Sequence, residues 1–281
     1  MLSKLLKYEF KSTGRTFGLC YAGVVAAALL LRILAVFSEH IDLSQMLPRA
    51  ALMFTSFLTG LLGVAYAVMI VAVCVITFLL ILQRFYKNLL SGEGYLMHTL
   101  PVRPWQHITS KLIAAVVWTI LSFLVVCVSV LVLCADHTLL PGLVQEMAEL
   151  QQAFAAEFQM PLWLLCGEFI LMTLVSLAAS VLQIYAAIML GHQADKHRIA
   201  MAVVAYFVIQ FALSILMYAL ILMGLFVPDG IRFAVGSILG GMGAAGLTST
   251  MLLGITAANA VLGAIFFAMT EFLMRRRLNL E

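Results

Sequence analysis

Charge is what this chain has least of: of 281 residues only 16 are Lys or Arg and 13 are Asp or Glu, 10% charged against 64% hydrophobic. A soluble domain is usually about 25% charged and about 45–50% apolar. A water-soluble globular architecture is therefore excluded, and no polar block is long enough to form a soluble domain beside the apolar one. The few cations form no stripe interleaved with aromatics, so nucleic acid is not expected as a partner. Five cysteines (Cys20, Cys74, Cys127, Cys134, Cys166) fall in apolar runs without CxxC or metal spacing. They read as small buried hydrophobes, with a Cys134–Cys166 disulfide as the secondary reading. Catalytic signatures are missing too. There is no HExxH, no G-x-S-x-G, no Walker A loop and no intramembrane carboxylate pair, so no enzymatic activity, bound cofactor or metal is expected of this chain.

What is there is a series of long apolar runs. Residues 17–37, 51–83, 112–134, 162–190, 200–227 and 251–274 each meet the roughly 20 residues a spanning helix needs. The second exceeds that requirement by roughly ten residues and is expected to tilt or project from the bilayer. The expected fold is an all-α membrane protein, residues 1–281 forming a single transmembrane domain of six transmembrane helices.

Residues 1–15 predict an amphipathic N-terminal interfacial helix, because Leu2, Leu5, Leu6 and Phe10 share one face while Lys4, Lys7 and Lys11 share the other. Glu9 falls on the apolar side and has two readings: a charge snorkelling to the interface, or a salt bridge to a cation of residues 84–111. The opening MLSKLLKYEFKSTGR carries four cations before an apolar run too long for a cleavable signal, so no signal peptide is expected there. Residues 135–161 hold Asp136, Glu146, Glu149 and Glu157 but no Lys or Arg, and place Leu143, Met147, Leu150, Phe154 and Phe158 near one helical face. They predict an outer amphipathic segment. Residues 228–250 are too apolar for an ordinary loop and too broken by glycine for a span, which predicts a re-entrant segment before span six.

Topology follows from the cations. Lys4, Lys7, Lys11, Arg15, Arg84, Lys87, Arg103, Lys111, Lys196, Arg198 and Arg275–Arg277, thirteen of the sixteen, fall on one side if the chain crosses six times. By the positive-inside rule that side is cytoplasmic, with both termini on it and the acidic segment outside.

Residues 84–111, RFYKNLLSGEGYLMHTLPVRPWQHITSK, are the one long polar interruption between two strongly apolar runs. Ser91, Gly92 and Gly94 break the incoming helix, Tyr95 to Leu100 can form a short helix, and Pro101 and Pro104 end it. One reading is a solvated connector. The other is a docking surface for a second protein, because Tyr95, Leu96, Met97, Leu100 and Trp105 are apolar for a loop that meets only water.

Three further groups stand out. His192, Asp195 and His197 lie close in sequence, but without further ligands nearby they read as a polar turn rather than a metal site. Arg32 and Glu168 sit at matching depths in spans one and four; they either pair in the membrane or reach the interface and a watery vestibule separately. Gln183, Gln210 and Asn259 read as helix-to-helix glue.

The layout and the central motif together resemble the permease subunits of ATP-binding-cassette (ABC) exporters of the type-two kind. The match is carried by Glu93-Gly94, by Thr99-Leu100-Pro101-Val102, and by Ser110-Lys111 opening span three. The ending Arg275-Arg276-Arg277-Leu278-Asn279-Leu280-Glu281 is similar to tails among such permeases from Gram-positive bacteria. The resemblance implies a cytoplasmic coupling helix between spans two and three, with Glu93, Gly94, Tyr95, Leu96, Met97, His98, Thr99, Leu100 and Pro101 gripping a separate ABC ATPase subunit. It also implies ATP and Mg bound by that ATPase, a second permease copy or paralogue, and a bacterial plasma membrane as the site of action. Export of an amphipathic or hydrophobic cargo, whether peptide, drug or lipid, is then the expected activity. The rivals are a secondary transporter, which should show symmetric halves and broken spans, and a non-transporting scaffold or sensor.

Overall fold

With no water in hydrocarbon, a backbone satisfies its own N–H and C=O groups only as a helix or a closed barrel. Long runs of Leu, Val, Ala and Ile without proline take the first course. The computed structural model describes residues 2–40, 49–90, 103–135, 139–158, 161–194, 197–225 and 243–276, and the described residues are all-helical, without strands. The elements are α1 (Leu2–His40), α2 (Arg49–Leu90), α3 (Pro104–Cys134), α4 (Leu139–Phe158), α5 (Leu162–Gly191), α6 (Arg198–Leu225) and α7 (Gly243–Arg276). All but α4 are long and apolar enough to cross a membrane.

Two boundaries differ from the sequence reading. Residues 1–15 and 17–37 were separated above into an interfacial helix and a span, yet Leu2–His40 is one unbroken helix of 39 residues. Within it the Thr13 hydroxyl is satisfied inside the helix, donating back to the Glu9 carbonyl at 2.8 Å. At the other end α7 starts at Gly243, whose φ of +67° only glycine adopts freely. The last residues expected in the re-entrant segment, 243–250, are therefore helical, and 228–242 lie outside the described residues.

The chain divides into two compact units, Met1–Gln83 with Ile113–Val144, and Arg84–Leu112 with Gln145–Glu281. In the first, Val24 and Ala28 of α1 form a core with Tyr66 and Val73 of α2. Hydroxyls stitch this unit across its helices. The Ser122 hydroxyl of α3 shares hydrogen bonds with Tyr21 of α1 at 2.7 Å and Thr77 of α2 at 2.9 Å, and Tyr66 shares one with Ser129 at 2.8 Å. With the Arg32 guanidinium of α1 donating to the Ala135 carbonyl just past α3, the order of these contacts makes α1 parallel to α3 and antiparallel to α2, as three successive crossings require.

In the second unit the same test gives the same alternation. Glu168 and Ala179 of α5 meet Ser249 and Gly263 of α7 in parallel order. Gln183 and Gly191 meet Gln210 and Ala202 of α6 in reverse. The α5–α6 approach is backbone to backbone: a Cβ on Gly191 would lie 2.3 Å from the Ala202 nitrogen. Side-chain distribution is inverted relative to a soluble protein. Phe54, Phe57, Phe207 and Phe211 are exposed while Thr77, Ser122, Ser129 and Thr270 are buried, the arrangement expected when the surrounding solvent is lipid.

Candidate functional site

The residues named for partner binding, Glu93, Gly94, Tyr95, Leu96, Met97, His98, Thr99, Leu100 and Pro101, lie outside the described residues. Their flanks are described. On the incoming side, α2 runs 42 residues to Leu90, past the expected end of the second span. Near its end Phe85 is fully buried and stacks on Tyr185 of α5, ring centroids 3.9 Å apart and planes 10° from parallel. Tyr86 meets the ring of His192 edge-on at 6.4 Å.

The outgoing side begins at Pro104, whose fixed φ suits a first helical turn. The Gln106 amide donates to the Arg103 carbonyl at 2.9 Å, and the Thr109 and Ser110 hydroxyls back-bond to Trp105 and His107. His107, Ile108, Ser110 and Lys111 are all buried. Burial of an ammonium this complete is costly unless it is compensated, so Lys111 is set for more than solubility. Both ends of the polar segment are thus anchored in the second unit.

Arg32 and Glu168 lie in different units, and each is described with a partner of its own. The Arg32 guanidinium donates to the Ala135 carbonyl at the end of α3. Glu168 Oε1 accepts from the Ser249 hydroxyl at 2.6 Å, and its Oε2 is buried with no hydrogen-bond partner.

His192 caps α5 through its amide on the Ile188 carbonyl at 3.0 Å, and His197 holds a left-handed φ of 56° at the start of α6. Asp195 lies outside the described residues. No group of three or more His, Cys, Asp or Glu is placed to hold a metal among the described residues. All five cysteines are free thiols on the long apolar helices; Cys74, Cys134 and Cys166 are exposed on their helix surfaces and Cys20 and Cys127 half-buried. Gln183 and Gln210 do join two helices, Nε2 to Oε1 at 3.0 Å, whereas Asn259 Nδ2 donates to the Ile255 carbonyl of its own helix.

Sequence reading missed three features. One is the aromatic cluster in which Trp118 stacks on Phe17 at 4.3 Å with Phe10 and Tyr21 around it. The second is the serine and threonine network centred on Ser122. The third is a cavity of about 420 Å³ between α5 and α7, lined by Ala178, Ala179, Asn259, Ala260, Gly263 and Ala264 among others. Small residues at three- and four-residue spacing on α7 were its signal, visible once α7 is known to pack on α5.

Fold and composition define a multi-pass membrane protein. No protein-family model, curated protein or solved structure matches the chain.

Proposed function

We propose that this chain is the membrane-spanning permease subunit of an ATP-driven exporter of the type-two ABC kind. The observation that carries the reading is the company kept by the Glu93–Pro101 motif. It falls between two long apolar helices whose adjoining ends are tied down, one by the Phe85–Tyr185 stack and the other by buried His107, Ile108, Ser110 and Lys111. A force applied to a motif held at both ends passes into α2 and α3 instead of being lost in slack chain. Rigid-body rocking of a permease pair by an ATPase needs such a linkage.

In this reading Glu93 and Tyr95 to Leu100 seat in a groove of the ATPase, which binds ATP and Mg. The chain itself binds no nucleotide and catalyses nothing. Both termini and the motif are cytoplasmic in a bacterial plasma membrane, in keeping with the placement of the cations. The functional unit holds two permeases, identical or paralogous, and moves an amphipathic or hydrophobic cargo.

The test is copurification with a candidate ABC ATPase, and the turnover of that ATPase in proteoliposomes. Replacing Glu93 by Ala together with Leu100 by Asp is expected to weaken capture by about tenfold or more, the loss of about 1.4 kcal/mol of contact. It should also uncouple turnover from cargo. Capture and coupled turnover at the unsubstituted level would overturn the reading.

A further inference from the structure

Lipid tails offer a side-chain amide neither donor nor acceptor, and leaving its polar groups unmatched in hydrocarbon is costly. Gln210 carries such an amide. It stands on the order of 18 Å along α6 from Arg198, near the middle of a hydrocarbon core roughly 30 Å thick. Its Oε1 accepts from Gln183 Nε2 at 3.0 Å, and among the described residues that is the one hydrogen bond of its side chain. The residue is exposed, so two N–H groups on Nε2 face outward unmatched.

The surroundings of the amide do not suit a watery path. Val203, Phe207, Gln210, Ser214, Met217 and Ile221 recur at alternating spacings of four and three, the pattern of a helix-pairing seam. Val203, Phe207, Met217 and Ile221 are each more than half exposed, and the Ser214 hydroxyl already donates to the Gln210 carbonyl of its own helix at 2.9 Å. From Arg198 to Met223 no residue of α6 is buried. Water would not wet a face so apolar, and lipid would leave the amide unmatched. What satisfies both is another helix carrying an amide at the same depth.

We infer that α6 pairs with α6 of a second copy of this chain, parallel and in register, with Gln210 against the copy's Gln210. Two copies inserted the same way are related by a two-fold axis along the membrane normal, so residues on the seam meet their own equivalents. A primary amide is a group that such symmetry satisfies. Each Nε2 donates to the other's Oε1, and each Oε1, with two lone pairs, still accepts from Gln183. One polar side chain within an apolar seam fixes register and copy number, and the small Ser214 beside it lets the backbones approach. As the pair that an ATPase would rock, it rests on the permease reading above; as a pair of chains in a membrane it does not.

The test uses the full chain, with neither ATP nor ATPase present. Two coexpressed copies bearing different tags should copurify from the membrane. Gln210→Leu, similar in size but without the amide, should lower that capture by about tenfold. Gln183→Leu breaks the bond within the chain but leaves the seam intact, and should preserve capture. In a protein whose five cysteines are replaced by Ser, Ser214→Cys should give a covalent dimer on oxidation with copper phenanthroline in phosphatidylcholine liposomes. Val208→Cys, exposed at similar depth but off the seam, should not.

Capture of Gln210→Leu at the unsubstituted level, or equal loss from Gln183→Leu, would overturn the proposal. So would a monodisperse Ser214→Cys protein that gives no dimer, or Val208→Cys dimerising equally, since α6 would then be covered by something other than its own copy. A dimer through Ser214→Cys combined with no ATPase capture would sink the permease reading and leave the pair standing. ATP-driven transport that requires a paralogue in place of the copy would do the reverse.

Discussion

At the scale of single residues, hydroxyls and glycines hold these helices together. Ser122 bonds both Tyr21 and Thr77, so one oxygen ties α1, α2 and α3. Interhelical hydrogen bonds in membranes are worth about 0.6 kcal/mol on average and up to about 1.7. Ser122→Ala removes both bonds but leaves Tyr21 its Trp118 carbonyl and Thr77 its Val73 carbonyl, so the expected cost is about 1 kcal/mol in reversible unfolding of the solubilised protein. Two glycines should behave oppositely. A Cβ on Gly191 meets the Ala202 backbone at 2.3 Å, and backbone cannot step aside, so Gly191→Ala should force α5 and α6 apart at about 1–3 kcal/mol. Gly263→Ala, with its nearest contact at 3.5 Å, should change stability by less than about 0.5 kcal/mol. The same unfolding assay separates the two.

Among elements, the informative pair is α2 and α5, joined where Phe85 stacks on Tyr185. Tyr185→Ala removes a buried ring and should cost about 3 kcal/mol, while Tyr185→Phe keeps the stack and should cost less than that. If the motif after α2 transmits force, Tyr185→Ala should also reduce cargo-stimulated ATPase turnover, with Tyr185→Phe restoring it. The six long helices were legible in the sequence because hydrocarbon demands one thing of every residue, and about 20 apolar residues in a row declare it. Joints were less legible. The separation of residues 1–15 from 17–37 rested on the change from an amphipathic face pattern to an apolar run, a change of surroundings that requires no break in the helix, and Leu2–His40 is continuous. Glu168 stood out as an intramembrane charge, but its link to Ser249 joins residues 81 positions apart, which no local pattern encodes.

Across the whole molecule, the strongest constraint is parity. Six helices are long and apolar enough to cross, an even number that would return the chain to its starting side, and the contact order within each unit alternates as successive crossings require. Reporter fusions after residues 10 and 276 should therefore report the same compartment, and a fusion in residues 142–156 the opposite one. Detection of the two termini in different compartments would break the six-span topology and the permease reading with it.

The unbroken α1 has a mechanical corollary. Lys4 and Arg32 stand on one stiff rod, about 42 Å apart along its axis. If the lysines sit against anionic headgroups at one leaflet, a shift there swings the far end of the rod at the other. A spin label at position 37 should sense phosphatidylglycerol replacing phosphatidylcholine, and Gly14→Pro, by hinging the rod, should silence it. Lipid composition at one surface would then act as a rudder for the opposite one.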